Sequence, residues 1–263
     1  MTIFYFTSTG NCLAVAKKMG GELVSIPQVV GGGTQEYQDD VIGVIFPIYG
    51  FGTPKMVRRF ITNARFAADY TFAIGTYGNL PGAAMENVAK LAQRRGKSGD
   101  IGGFDYAKSL LMFDNYLPMF EVGKETERTK EKNIEENLDK ILADIAARRH
   151  FVEKAAIGWK IATSLMRAGE RFVINGRQAQ GYIVDEKCIK CGVCAKVCPS
   201  GNIVVDDEVR FADRCEGCLG CVHLCPQNAI HLKNEKSSSR FRNAAVSLDG
   251  IIAANNQKEA ENE

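Results

Sequence analysis

Hydrophobic residues fall into two rhythms along the chain. In the first 150 residues, short apolar runs alternate with longer stretches in which apolar positions recur at helical spacing. Thr2–Phe6, Glu22–Ile26, Asp40–Phe46 (DVIGVIF), Tyr70–Thr76 (YTFAIGT) and Tyr106–Phe113 (YAKSLLMF) carry the length and composition of buried strands. Between them, Cys12–Met19, a segment from Pro54 through Asn63, and Ala83–Arg95 are predicted helices. Thr53 before Pro54 is a favoured helix entry, and Gly96 a favoured stop. Val29–Asp40 is glycine-rich and polar, and predicts a loop. Glu125–Arg149 is densely charged, with Ile134, Leu138, Ile141, Leu142 and Ile145 at helical intervals. It predicts one amphipathic helix whose charges face solvent. The alternation predicts an α/β domain over residues 1–150, built on a doubly wound parallel sheet of five strands.

Further along, the rhythm changes. Phe151–Ile174 carries Trp159, Ile161, Leu165 and Met166, and residues 151–179 are predicted to be a helical connector. Beyond it lie four very short apolar runs, Tyr182–Val184, Ile203–Val205, Val209–Phe211 and Ile230–Leu232. They bracket two cysteine-rich loops, so residues 180–234 form a small α+β unit of two similar halves. Each half is predicted to run strand, loop, short helix, strand. Residues 235–263 are a polar tail in which Val246–Ala254 predicts a short helix and the last ten residues predict disorder.

The two loops carry the strongest chemical signal. Cys188, Cys191, Cys194 and Cys198 precede Pro199, and Cys215, Cys218, Cys221 and Cys225 precede Pro226. Both read C-x2-C-x2-C-x3-C-P, 27 residues apart. Structural zinc sites group their thiols in separated pairs, often with histidine. Disulfides belong to secreted chains. Neither fits as well as a pair of four-iron clusters, for which this spacing is the bacterial two-cluster signature. In that signature the fourth cysteine of each run serves the other cluster. The expected sets are Cys188, Cys191, Cys194 and Cys225 for one [4Fe–4S] centre, and Cys198, Cys215, Cys218 and Cys221 for the other. The half-units resemble those of the two-cluster ferredoxin fold.

The strand ends of the first domain suggest a second cofactor. Thr7, Ser8, Thr9, Gly10, Asn11 and Cys12 form a polar turn between a strand and a helix, a geometry that presents backbone N–H groups to an anion. The turn has no lysine or arginine, which argues against a nucleotide-binding P-loop. A plain helix cap has the same composition. The turn resembles the phosphate loop of the flavodoxin family, T-x-T-G-N-[ST], matched by Thr7, Thr9, Gly10 and Asn11, with Cys12 in place of the hydroxyl residue. The resemblance implies FMN. The loops Pro47, Ile48, Tyr49, Gly50 and Thr76, Tyr77, Gly78, Asn79 lie at the same sheet edge, where open parallel sheets bind ligands. Tyr49 and Tyr77 would supply ring faces and the glycines close backbone approach. Asp114–Pro118 is a fourth loop at that edge, with Asn115 and Tyr116 within possible reach of a flavin.

Composition narrows the classes. The 263 residues are 45% hydrophobic and 24% charged, with net charge +2. No basic patch with interleaved aromatics suggests nucleic acid. No run reaches the ~20 apolar residues of a membrane helix. Met1–Phe6 is too short and lacks the basic lead of a secretion signal, so a cytoplasmic location is expected. Gly96-Lys97-Ser98 resembles the end of a Walker A loop, but Leu91 stands where the first glycine belongs. His150, His223 and His231 form no constellation; His223, within the second motif, is expected to pack against or tune a cluster. Cys12 is expected to be a passive substitution. Lys187, Lys190, Lys196 and Arg214 surround the clusters, either as solvated charges or as a docking rim for an acidic partner.

Together the halves resemble a flavodoxin-like domain fused to a two-cluster ferredoxin, the flavodoxin-type iron–sulfur proteins. The resemblance implies FMN, two [4Fe–4S] clusters and passage of electrons between the clusters and the flavin, with unidentified redox partner proteins as donor and acceptor. A flavin-dependent reductase of a small molecule fed by the clusters, and a non-redox scaffold with structural clusters, are the alternatives.

Overall fold

In strand β1 (Thr2–Tyr5) the side chains alternate between two cores. Ile3 and Tyr5 enter one, Phe4 and the following Phe6 the other. That is the expected result for a strand covered on both faces. The computed structural model describes residues 1–96, 103–173 and 176–256; Lys97 and Ser98 therefore lie outside the described residues.

From β1 the chain runs through α1 (Asn11–Met19), β2 (Glu22–Ser25), the single turn α2 (Ile26–Val29), β3 (Gln35–Gln38), β4 (Val41–Pro47) and α3 (Lys55–Asn63). It continues through β5 (Ala64–Ala67), β6 (Tyr70–Tyr77), α4 (Ala84–Gly96), β7 (Tyr106–Leu111), α5 (Val122–Thr129), α6 (Ile134–Ala146) and β8 (Phe151–Val152). The main sheet is parallel throughout, in the order β2-β1-β4-β6-β7-β8. Thr2 pairs with Glu22 on one side and Ile42 on the other, so strand order reverses between β1 and β4. That reversal opens a crevice at the carboxyl ends of these two strands.

All five expected strands are present, and β8 adds a sixth at the edge, where Tyr106 pairs with Phe151. Two residues are too few to show a period. The stretch expected to be a loop holds β3, which pairs in parallel with β5. Phe4 joins this small ribbon to the main core, with ring centroids 4.5 Å from Tyr37, 4.9 Å from Phe60 and 5.6 Å from Phe66. The single helix expected over Glu125–Arg149 is two, α5 and α6, separated by a turn in which Asn133 takes a left-handed backbone at φ 48°. Its charges are not all solvated. Glu125 and Lys132 are buried and paired, and the Lys132 ammonium also donates to the carbonyls of Gly78 (2.6 Å) and Met112 (2.7 Å).

The second unit follows the helix α7 (Ile157–Val173). It comprises β9 (Ile183–Val184), α8 (Val193–Lys196), β10 (Ile203–Val205), β11 (Val209–Phe211), α9 (Gly220–His223) and β12 (Ile230–His231). Each half runs strand, loop, helix, strand. The inner strands β10 and β11 pair antiparallel, and the outermost strands, β9 and β12, pair with each other. After β12 the chain does not trail into solvent. It runs back to the α/β domain and ends the described region with α10 (Leu248–Asn255), capped by the Ser247 hydroxyl accepting from Gly250 N–H at 3.1 Å. Val246, Ile251 and Asn255 are fully buried. Burial of the two aliphatic side chains contributes roughly 1.5–3 kcal/mol each to this docking.

Candidate metal centres

Two cavities of similar size lie in the cysteine-rich unit. The first is lined by Cys198, Cys215, Cys218 and Cys221, the second by Cys188, Cys191, Cys194 and Cys225. The crossing of the fourth cysteine follows from a turn used twice. After Cys198, Gly201 N–H donates to the Cys198 carbonyl at 3.2 Å, with Gly201 at φ 56°. After Cys225, Asn228 N–H donates to the Cys225 carbonyl at 3.0 Å, with Asn228 at φ 51°. Glycine and asparagine are the residues that enter this left-handed region most readily. Each turn brings the next N–H onto the sulfur, Asn202 to Cys198 Sγ and Ala229 to Cys225 Sγ, both 3.3 Å. Gly217 N–H donates to Cys215 Sγ at the same distance.

Burial pushes the Cys194 and Cys215 thiols up to about 11, and the Cys218 and Cys221 thiols well above their ordinary range. Thiolates are favoured in such surroundings only when a cation supplies the missing charge. All nine cysteines are free thiols. Among the described residues no three or more His, Cys, Asp or Glu side chains gather tightly enough to hold one metal ion. A single zinc ion draws thiolates to about 2.3 Å, whereas these thiols ring a larger space. With N–H donors aimed at sulfur, the donor set fits a multi-iron cluster in each cavity.

The 4Fe-4S dicluster domain family matches residues 180–226. The same region is 38% identical over 68 residues to a ferredoxin of Methanocaldococcus jannaschii, covering 23% of this chain and 88% of that protein. The chain belongs to the dicluster ferredoxins. Its ferredoxin domain is also 47% identical over 49 residues to the pyruvate synthase subunit PorD of the same organism, covering 18% of this chain and 57% of that protein. It is 44% identical over 48 residues to one component of the ion-translocating oxidoreductase complex of Methanosarcina acetivorans, 18% of either chain. Among the described residues no helix is long and apolar enough to cross a membrane.

The two ferredoxin cavities face different surroundings. Cys191 is exposed and Cys188 half-exposed, and the neighbouring Ile189 is 62% exposed. The other cysteine loop sits against the crevice of the α/β domain. There the Ser8 hydroxyl donates to the Cys218 carbonyl at 2.7 Å. Glu216 accepts from Met56 N–H at 3.3 Å, placing a carboxylate at the N-terminus of α3, where the helix dipole favours it. His223 Nε2 meets the Asn115 carbonyl at 2.7 Å, and the His223 ring lines neither cavity.

The same contact engages the loop expected to hold a flavin phosphate. A phosphate needs the loop N–H groups open on one side. Thr7, Ser8, Thr9 and Gly10 are instead buried under protein. The Thr9 carbonyl accepts from Asn243 N–H at 2.8 Å, and the Thr9 hydroxyl from Asn115 Nδ2 at 2.6 Å. Asn255 Nδ2 donates to the carbonyls of Thr7 (3.0 Å) and Val197 (3.1 Å). Asn243 Nδ2 donates to Asn11 Oδ1 at 3.0 Å. A Cβ on Gly10, whose φ is 104°, would lie 3.1 Å from Asn243 Cβ and 3.2 Å from Val246 Cβ. Protein thus covers this loop, and the buried Thr7 hydroxyl is left without a hydrogen-bond partner among the described residues.

The other two loops are engaged as well. Tyr49 closes a turn with Gly52 through two 2.9 Å backbone bonds and packs edge-on against Phe6, centroids 6.5 Å apart. Beyond Pro47, Ile48 N–H donates to the Thr76 carbonyl at 2.7 Å, and Gly50 is exposed. Phe51 meets Trp159 of α7 at 5.5 Å, and Ala83 N–H donates to the buried Thr163 hydroxyl at 3.0 Å, so α7 covers this part of the edge. Tyr77 lies beside Ser109 and Glu153. Gly78 abuts Asp114 so closely that a Cβ would come within 2.2 Å of it, and Asn79 is exposed. Cys12 is buried with its sulfur 3.2 Å from the Thr76 hydroxyl, and burial pushes its thiol up to about 12. That disfavours the reactive thiolate form. Asn115, Asn243, Asn255 and Glu216 are the functional contacts that sequence reasoning did not assign to this junction.

Proposed function

We propose that the protein is a one-electron carrier holding two [4Fe–4S] clusters, one on Cys188, Cys191, Cys194 and Cys225 and the other on Cys198, Cys215, Cys218 and Cys221. The observation that carries this reading is that four thiols line each cavity, three from one repeat and one from the other. When bound, such a cluster takes up and releases one electron at a potential set by hydrogen bonds, charge and exposure. The chain's own residues supply those controls. The N–H groups of Asn202, Gly217 and Ala229 stabilise negative charge on sulfur, and buried Val197, Leu219 and Val222 exclude water. The exposed Cys191 edge offers the approach for a partner.

Similarity to a pyruvate synthase component and to a component of an ion-translocating oxidoreductase supports redox partner proteins as donor and acceptor. A reducing compartment, the cytoplasm, suits eight thiols that must stay available to iron. Flavin chemistry forms no part of this reading, because the loop that would hold FMN is covered. The test is anaerobic purification with iron, sulfide and zinc counted per chain, followed by dithionite addition. Two four-iron clusters' worth of iron and sulfide, and a visible absorbance that bleaches on reduction, are expected. Zinc in place of iron, or clusters that cannot be reduced, would remove the proposal and leave a scaffold.

A further inference from the structure

Two strand-end loops and the first turn of α3 converge on the same half of the ferredoxin domain. Ser8 after β1 reaches Cys218, Met56 beyond β4 reaches Glu216, and Asn115 beyond β7 reaches His223. From the C-terminal segment, Asn255 ties Thr7 to Val197, which immediately precedes Cys198. All four contacts fall within or beside the residues lining one cavity. The cysteines that line the other include the exposed Cys191. At the centre of the junction a Cβ on Gly220 would lie 3.3 Å from Ser8 Oγ and 3.7 Å from Cys218 Sγ. The Ser8 hydroxyl and the Cys218 sulfur thus both lie close to Gly220.

We infer that the strand-end crevice of the α/β domain is the seat of the ferredoxin domain's second cysteine loop rather than a flavin site, and that Ser8 is a positioning residue through which this domain tunes one cluster and not the other. The inference rests on both cavities holding clusters. Hydrogen bonds near the sulfurs and solvent exposure set cluster potentials. The α/β domain supplies both on the side of Cys218 and leaves the side of Cys191 to water.

The experiment uses anaerobic holoprotein and two readouts, a redox titration followed by electron paramagnetic resonance and a fluorescence titration with FMN. Wild type is expected to leave FMN fluorescence unquenched. Ser8→Ala is expected to shift one of the two cluster potentials while the other stays in place, and Ser8→Thr, which keeps the hydroxyl, to restore it. If Ser8→Ala loses its iron during purification, Asn255→Asp acts on the same seat. Its added negative charge is expected to lower that one potential. Stoichiometric quenching of FMN by wild type overturns the inference, and so does a substitution that moves both potentials or neither. Failure of the cluster reading shows separately, as missing iron before any titration begins.

Discussion

His223 stands between Cys221 and Cys225, buried, with both ring nitrogens engaged. Phe241 N–H donates to Nδ1 at 3.2 Å, so the proton sits on Nε2, which donates to the Asn115 carbonyl at 2.7 Å. One neutral ring thereby links the ferredoxin domain, the C-terminal segment and the α/β domain. Burial holds its pKa down at about 4. The unfolded chain takes up this proton near 6.5 and the folded protein does not. The associated stability is complete above 6.5 and is lost as pH falls from there toward about 4. We expect the denaturant midpoint of the holoprotein to fall between pH 7.5 and 5.5, and to fall less in His223→Gln; equal slopes would refute this. At this scale the eight cysteines were legible because their chemistry imposes a spacing. Asn115, Asn243 and Asn255 were not, because an asparagine's partner, such as Thr7 for Asn255, lies anywhere in the chain and leaves no period. The threonine-rich turn is ambiguous for a related reason: hydroxyls and carbonyls that suit a phosphate also suit a protein surface.

The helices α5 and α6 illustrate what pattern reading misses between elements. Charged residues at helical spacing look like a solvated face, yet Glu125 and Lys132 point inward and hold the loops after β6 and β7 together. Glu125 also accepts from Asp114 N–H at 3.0 Å, next to Gly78. Removing one partner of a buried pair strands the other charge. Lys132→Met is expected to cost about 3–5 kcal/mol in denaturant unfolding, and Lys132→Met with Glu125→Leu to recover most of it. Additive losses in the double variant would contradict the pairing. The strands of the main sheet were legible from their unbroken apolar runs, since a sheet covered on both faces leaves no polar side. The edge strand β8 and the ribbon of β3 and β5 were not, being too short or too polar to announce themselves. The described end of the chain was expected to be a polar tail with a short helix; that helix, α10, is packed against the rest of the protein because Val246 and Ile251 supply just enough apolar surface within a polar sequence.

Across the whole molecule the two cavities share their ligand chemistry but not their surroundings. Under the proposed function, the cluster beside Cys191 meets solvent first. Limited anaerobic challenge with ferricyanide and a chelator is expected to remove its iron before that of the cluster seated against Ser8, as followed by iron content and paramagnetic signals. Simultaneous loss would argue against the protected seat. The fold class was legible here, because strand–helix alternation followed by a doubled cysteine run leaves few architectures. The way the domains meet was not, because it depends on surfaces rather than periods. The pairing of β9 with β12, and the contribution of Cys198 and Cys225 each to the opposite cavity, also limit how the protein can be divided. A chain stopped between Phe211 and Cys221 keeps the whole of the first motif and yet completes neither thiol quartet. The duplicated halves are separable on paper only: either one alone brings three thiols to one cavity and sends its fourth to the other.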